Sequence, residues 1–412
     1  MIRRLLPSLA LLFAAPVLAQ IPAPWQTPSQ VTTQDAAEWA RVSGLTPEAA
    51  ARQLRAQDDT IVATDAIAHE FADRLAGLSV AAAPTFAIDV LLTGDAPVPP
   101  RWTTGAGVVV PITFCTGARA TRAQLVAALT AHQAEIRAYL PRPPGLGIDP
   151  RTGTLAVFLT EGDAARWAPG KLADELAAIA GVPVTLHFFD HRELNSISGG
   201  GAIDGGARIR GDGGDGHHYL CTSGFTVGDG TREGVVTAAH CPDSADYIAP
   251  DGTHAPLSFA GQWGWSFQDV QLHLATAELQ PAFYADTAKT MLRPVTAQRS
   301  RTSTRASDVV CHRGETTGYS CAAVLMPDFA PAGDLCGGPC APTWVAAEGP
   351  GCKGGDSGGP VFDGTVALGI VKGGSYLPGG ACAFWFYMST DYLPDGWRVL
   401  TAPPALPPVP LN

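Results

Sequence analysis

Seven residues, Gly354-Gly355-Asp356-Ser357-Gly358-Gly359-Pro360, constrain this chain of 412 residues more than any other stretch. Their glycines free the backbone to turn sharply and to approach a carbonyl group with no Cβ in the way. Such a turn presents one serine hydroxyl beside converging backbone N–H groups, and those of Gly355 and Ser357 suit a developing oxyanion. Serine is a weak nucleophile near neutral pH, so the chemistry also needs an imidazole to take its proton and a carboxylate to orient that imidazole. Upstream, Thr237-Ala238-Ala239-His240-Cys241 and Gln268-Asp269-Val270-Gln271-Leu272 supply both, in the order His240, Asp269, Ser357. A lone histidine is ordinarily a core residue and a lone aspartate a cap. Three motifs in one order outweigh those readings.

At these residues the chain resembles the chymotrypsin-fold serine peptidases, most closely the bacterial streptogrisin and alpha-lytic branch. Further stretches carry the likeness: Cys221-Thr222-Ser223-Gly224-Phe225 resembles the first core strand, and the segment from Cys311 to Cys321 a disulfide-closed hairpin. Gly369-Ile370-Val371-Lys372-Gly373-Gly374-Ser375 resembles the strand that pairs with substrate, which implies substrate-binding roles for Lys372, Gly373 and Gly374. The likeness covers residues 199 to 400 and implies two antiparallel β-barrels, all-β, with the site between them. It implies the disulfides Cys221–Cys241, Cys311–Cys321 and Cys352–Cys382, leaving Cys336 and Cys340 to pair across Gly-Gly-Pro, while Cys115 has no evident partner. It implies neither metal nor other cofactor, and no second Cys or His pair stands at zinc spacing. His217-His218 reads as a loop pair.

Residues 1 to 19 read as a secretory signal, with Arg3 and Arg4 before an apolar run and Ala19 at the cut. The run is short and interrupted by Pro7 and Pro16, so no membrane span is expected. Eight of nine cysteines follow residue 220, as suits an exported, oxidised chain, extracellular or periplasmic in transit. A net charge of −11 argues against nucleic acid or an anionic membrane as partner. With 46 Gly, 35 Pro and only 16% charged residues, the composition suits turn-rich β architecture.

Residues 20 to 198 have a different texture, α+β. Asp35 to Arg55 and Ala63 to Leu75 read as helices, and Thr121 with Gln124 as a capping box before apolar Leu125, Leu129, Ile136 and Leu140. Phe86 to Leu92, Val108 to Phe114, Leu155 to Leu159 and Val184 to Phe188 read as strands. This part holds no nucleophile and base pattern. It is either an attached binding module or a pro-region; its place between signal and peptidase, and the resemblance of residues 74 to 80 to streptogrisin-type pro-segments, favour an intramolecular inhibitor and folding aid. Residues 196 to 216 have a linker's composition and are the accessible place to cut, and residues 401 to 412 form a Pro-rich tail.

Three departures from the bacterial pattern stand out. His312 follows the hairpin cysteine where a cation commonly pairs with the aspartate before the nucleophile, so either His312 or Arg313 is expected to hold Asp356. Cys352 lies five residues before Ser357, which shifts the wall of the specificity pocket, and Gly351 supplies no carboxylate for a basic side chain. Lys372 stands where the family usually has a serine; its side chain either leans toward Asp269 or snorkels to solvent. The function expected is a secreted serine endopeptidase made as a zymogen and acting on polypeptides. The rival is an inactive homologue that serves as a secreted binding protein.

Overall fold

The computed structural model describes residues 23–403, apart from 82–84, 169, 190–191, 196–205, 213–217, 276–278, 350 and 378–379. The expected signal, the tail beyond 403, His217 and most of the expected linker lie outside the described residues.

Two helices open the fold, Pro28–Ser43 and Pro47–Glu70. The sequence suggests one helix from Asp35 to Arg55, and the structure breaks it. Gly44 ends the first helix in the left-handed region at φ 75°, Thr46 caps the second through its hydroxyl, and Pro47 fills the first turn where no N–H is needed. Nor does the second expected helix reach Leu75, which instead begins the strand Leu75–Ala81. That strand joins Ala87–Thr93, Val108–Ala118 and Arg101–Gly105 in a four-stranded sheet. The helix Arg122–Tyr139 starts at the capping box of Thr121 and Gln124. With the helix Lys171–Ala180 it buries Leu125, Leu129, Ile136, Leu172 and Leu176 against Leu146, Ile148, Leu155 and Val157 of the strands Gly145–Asp149 and Thr154–Leu159.

The described residues from 206 on form two antiparallel barrels with a short two-stranded sheet, Ala282–Tyr284 and Leu292–Pro294, between them in the chain. In the first, the ladder runs from Arg208–Asp212 through Ala245–Ile248, His254–Trp263, Val270–Leu274 and Glu233–Thr237 to Thr226–Gly228. Residues 218–222, just ahead of Thr226–Gly228 in the chain, pair back with Arg208–Asp212, so the circuit closes through one strand bent at Ser223-Gly224-Phe225. The second barrel closes by hydrogen bonds alone: Val309–Gly314, Gly318–Ala330, Trp344–Glu348, Cys382–Ser389, Val366–Tyr376 and Pro360–Asp363, which returns to the first of these. Its core packs Val310, Val324, Val345, Val361, Leu368, Val371, Trp385 and Tyr387. Disulfides join Cys221 to Cys241, Cys311 to Cys321, Cys336 to Cys340 and Cys352 to Cys382, while Cys115 is exposed and unpaired.

The amino-terminal part and the second barrel share one sheet, because Leu146 and Gly147 pair with Ala330 and Phe329. Buried polar contacts reinforce that junction. Arg293, fully buried, takes both oxygens of Asp35 at 2.8 and 2.9 Å. The Gln57 side chain receives the Val309 N–H at 2.6 Å and donates to the Val309 carbonyl at 3.0 Å, so it pairs with that strand as a neighbouring backbone would. Arg122 forks onto Asp328 at 2.6 and 2.9 Å. Removing one member of a buried ion pair leaves the other charged and unsolvated. Asp35→Ala is therefore expected to destabilise the full chain by about 3–5 kcal/mol, read from chemical denaturation. A loss below about 1 kcal/mol, the range of exposed pairs, would show that Arg293 finds water or another partner.

Candidate active site

His240 follows the first-barrel strand Glu233–Thr237, Asp269 directly precedes the strand Val270–Leu274, and these two strands pair, with Thr237 opposite Gln271. That register brings the imidazole and the carboxylate together. His240 Nδ1 lies 2.8 Å from Asp269 Oδ2, and the His240 backbone N–H donates to Oδ1 at 3.2 Å. Both contacts orient the ring so that Nε2 faces the second barrel. There Ser357 Oγ lies 2.7 Å from Nε2. Asp269 is 2% exposed and Ser357 fully buried, so the three groups meet largely shielded from water. Burial alone would raise the Asp269 carboxyl, but the His240 imidazole and the Lys372 ammonium overcome it and hold the group well below the usual carboxylate range.

The serine sits on a turn whose shape needs glycine at two positions. Gly355 has φ 105° and Gly358 φ 83°, and a Cβ at Gly358 would run into Thr237 Oγ1 and the Thr222 carbonyl. The N–H groups of Gly355 and Ser357 donate to no acceptor among the described residues. Thr222 of the first barrel pins this turn: its N–H donates to the Ser357 carbonyl and its hydroxyl to the Gly355 carbonyl, both at 2.7 Å. Sequence reading missed that role, because the partners lie far apart in the chain and no local pattern marks them.

The expectation for Asp356 is corrected. Neither His312 nor Arg313 holds it. Its carboxylate instead accepts the N–H groups of Thr316, Thr317 and Lys353 at 2.8–3.0 Å and the Thr317 hydroxyl at 2.9 Å. Burial pushes Asp356 up to about 6 against the pull of these donors. Arg313 turns to Glu315 at 2.7 Å. His312 lies against Trp385 with ring centroids 4.7 Å apart, and burial pushes its imidazole down to about 4. Gly351, at φ 110°, stands beside His312 and Ser320.

The sequence leaves Lys372 two courses. Its side chain takes the first of the two open courses: Nζ is 3.0 Å from Asp269 Oδ2 and 4.9 Å from the centroid of the Trp344 ring, with the residue 1% exposed. The side chain is therefore no part of the cleft surface. Along the same strand, the backbone of Gly373 and Gly374 is already paired. Residues 192–195, at the end of the amino-terminal part, run antiparallel to it, with Asn195 opposite Gly373 and Leu194 opposite Gly374.

No protein-family model matches the chain, and no curated protein does. Solved structures resemble it. Thermobifida fusca Protease A is 22% identical over 49% of this chain and 100% of its own, at a TM-score of 0.38. A Nocardiopsis protease is 20% identical with the same coverage and TM-score. Cellulomonas bogoriensis chymotrypsin is 22% identical over 44% of this chain and 91% of its own, at 0.34. By its own strand circuits, a closed six-stranded antiparallel barrel and a first antiparallel circuit completed through the bent segment 218–228, meeting at the His240, Asp269 and Ser357 cluster, the carboxyl-terminal part of the chain has the fold of the chymotrypsin-like serine proteases.

Proposed function

We propose that the chain is an exported serine endopeptidase made as a zymogen. The contact that carries the reading is the pair of short hydrogen bonds on the His240 ring, 2.8 Å to Asp269 and 2.7 Å to Ser357. In the proposed cycle, Ser357 Oγ attacks the scissile carbonyl while Nε2 takes its proton. The oxyanion forms beside the N–H groups of Gly355 and Ser357. The imidazolium then gives its proton to the leaving amine, and water repeats the sequence on the acyl group bound to Ser357. Four disulfides fit an oxidising compartment, and no described helix is long and apolar enough to cross a membrane.

The zymogen part of the proposal rests on residues 192–195. An extended substrate would pair with the edge of Gly373–Ser375, and this internal strand occupies that edge. Residues 208–212 of the expected linker form a first-barrel strand, which leaves the Gly-rich residues 196 to 205 directly after residue 195, and one cut there frees the strand 192–195 from the peptidase without breaking either barrel. Residues 23–195 are thus read as a pro-domain that docks on the second barrel and covers its substrate strand.

Ser357→Ala is expected to abolish labelling by diisopropyl fluorophosphate and to lower peptide turnover by roughly 10⁴-fold or more, with an unchanged melting curve. Full turnover in that variant would overturn the mechanism; the absence of labelling and turnover in the wild type would favour the inactive binding homologue. A second expectation concerns processing. The purified Ser357→Ala precursor should stay one chain, and intact precursor should react with the organophosphate at least roughly tenfold more slowly than protein cut within residues 196 to 205. Equal labelling rates before and after the cut would remove the inhibitory role of residues 192–195.

A further inference from the structure

Buried lysines are expensive, so Lys372 needs a reason. A hydroxyl at this position would supply Asp269 with the same kind of hydrogen bond and carry no charge. What lysine adds is the charge itself, taken out of water at a desolvation cost. The site is built to keep it: Nζ is held between Asp269 Oδ2 at 3.0 Å and the face of Trp344, and Trp344 is itself fully buried. The same Oδ2 receives the His240 Nδ1–H at 2.8 Å. One carboxylate oxygen thus serves both the Lys372 ammonium and the His240 ring.

We propose that Lys372 is a positioning residue that extends the working range of this site toward acid pH, an inference that rests on the peptidase reading above. With His240 neutral, Asp269 and Lys372 cancel and the cluster carries no net charge. A proton taken from solvent at Nε2 leaves the imidazolium and the ammonium sharing one carboxylate, and their repulsion opposes that protonation. The free base therefore survives at lower pH than it would beside a neutral hydroxyl. The same repulsion acts on the imidazolium of acyl transfer, where the oxyanion offsets it in part, so the plateau rate is lower in exchange. Other charged groups are turned elsewhere. Asp356 faces Thr316, Thr317 and Lys353, and Asp243 is engaged by Gln271 at 2.6 Å. Among the described residues, the ion pairs of Asp269 are those with His240 and Lys372.

The test is kcat/KM against pH, with an uncharged chromogenic peptide, for the processed full-length protein and its Lys372→Met, Lys372→Ser and Lys372→Arg variants. In the Met and Ser variants the acid limb is expected to move up by about one pH unit, while Arg, which keeps the charge, stays near the wild type. The Ser variant should also gain severalfold in its plateau. An unmoved limb in either folded variant overturns the proposal, since a lysine that merely fills space would change rate or stability and not the limb. Should both fail to fold, Lys372→Gln, which keeps length and a donor but not the charge, takes their place: an upward shift of its limb supports the proposal, and an unmoved limb overturns it. A wild type with neither turnover nor organophosphate labelling overturns the peptidase reading and this inference together, whereas active wild type with unmoved limbs overturns this inference alone.

Discussion

The geometry of the site depends on the two hydrogen bonds from Thr222 to the serine turn. His240 and Asp269 belong to the first barrel and Ser357 to the second, so their separations are only as well defined as the seating of one barrel on the other. Thr222 fixes it at the point that matters, through the carbonyls of Gly355 and Ser357 at 2.7 Å. Its side chain also accepts the Glu315 N–H at 2.9 Å, which brings the tip of the second-barrel hairpin into the same contact. The carbonyls of the turn are thereby spoken for, and its N–H groups at Gly355 and Ser357 remain directed elsewhere.

Legibility in the sequence depended on the range of the interactions. The Gly354–Pro360 turn, the capping box at Thr121 and the order of His240, Asp269 and Ser357 are readable because local chemistry dictates them. Gly44-Leu45-Thr46-Pro47 is equally local, and its stop and start signals divide the first helix; the alanine-rich run on either side masks them. Leu75 reads as the end of a helix for the same reason, yet it begins a strand that pairs with Ala87–Thr93, because the sheet offers its apolar residues a place to bury. The holding of Asp356 was beyond sequence reading. A cation was expected beside it, whereas the bend at Thr316 and Thr317 points two N–H groups and a hydroxyl at the carboxylate, and only the folded hairpin reveals that.

The two unusual features near the nucleophile share a cause. Asp356 lacks the expected cation, and Asp269 has one that the sequence leaves as one of two alternatives. Both carboxylates are buried, but at Asp269 the charged partners overcome the effect of burial, whereas at Asp356 burial outweighs the backbone donors. Backbone donors serve Asp356 without adding charge, while Lys372 serves Asp269 with a full one. The first arrangement shapes the serine turn and the second acts on the base.

The sheet shared by Gly145–Asp149 and Gly318–Ala330 would govern the fate of the second barrel were the two parts to separate as proposed. While they remain joined, the backbone groups at Phe329 and Ala330 are satisfied by Leu146 and Gly147. Departure of the amino-terminal part would strip that stretch of its neighbour and present an open strand edge, with Phe329 and Ala330 losing their cover. An edge of this kind recruits other extended chains, including second copies of the same molecule. If the amino-terminal part is released as proposed, it has until then also served as a cover against aggregation, and the freed barrels would be safest when dilute.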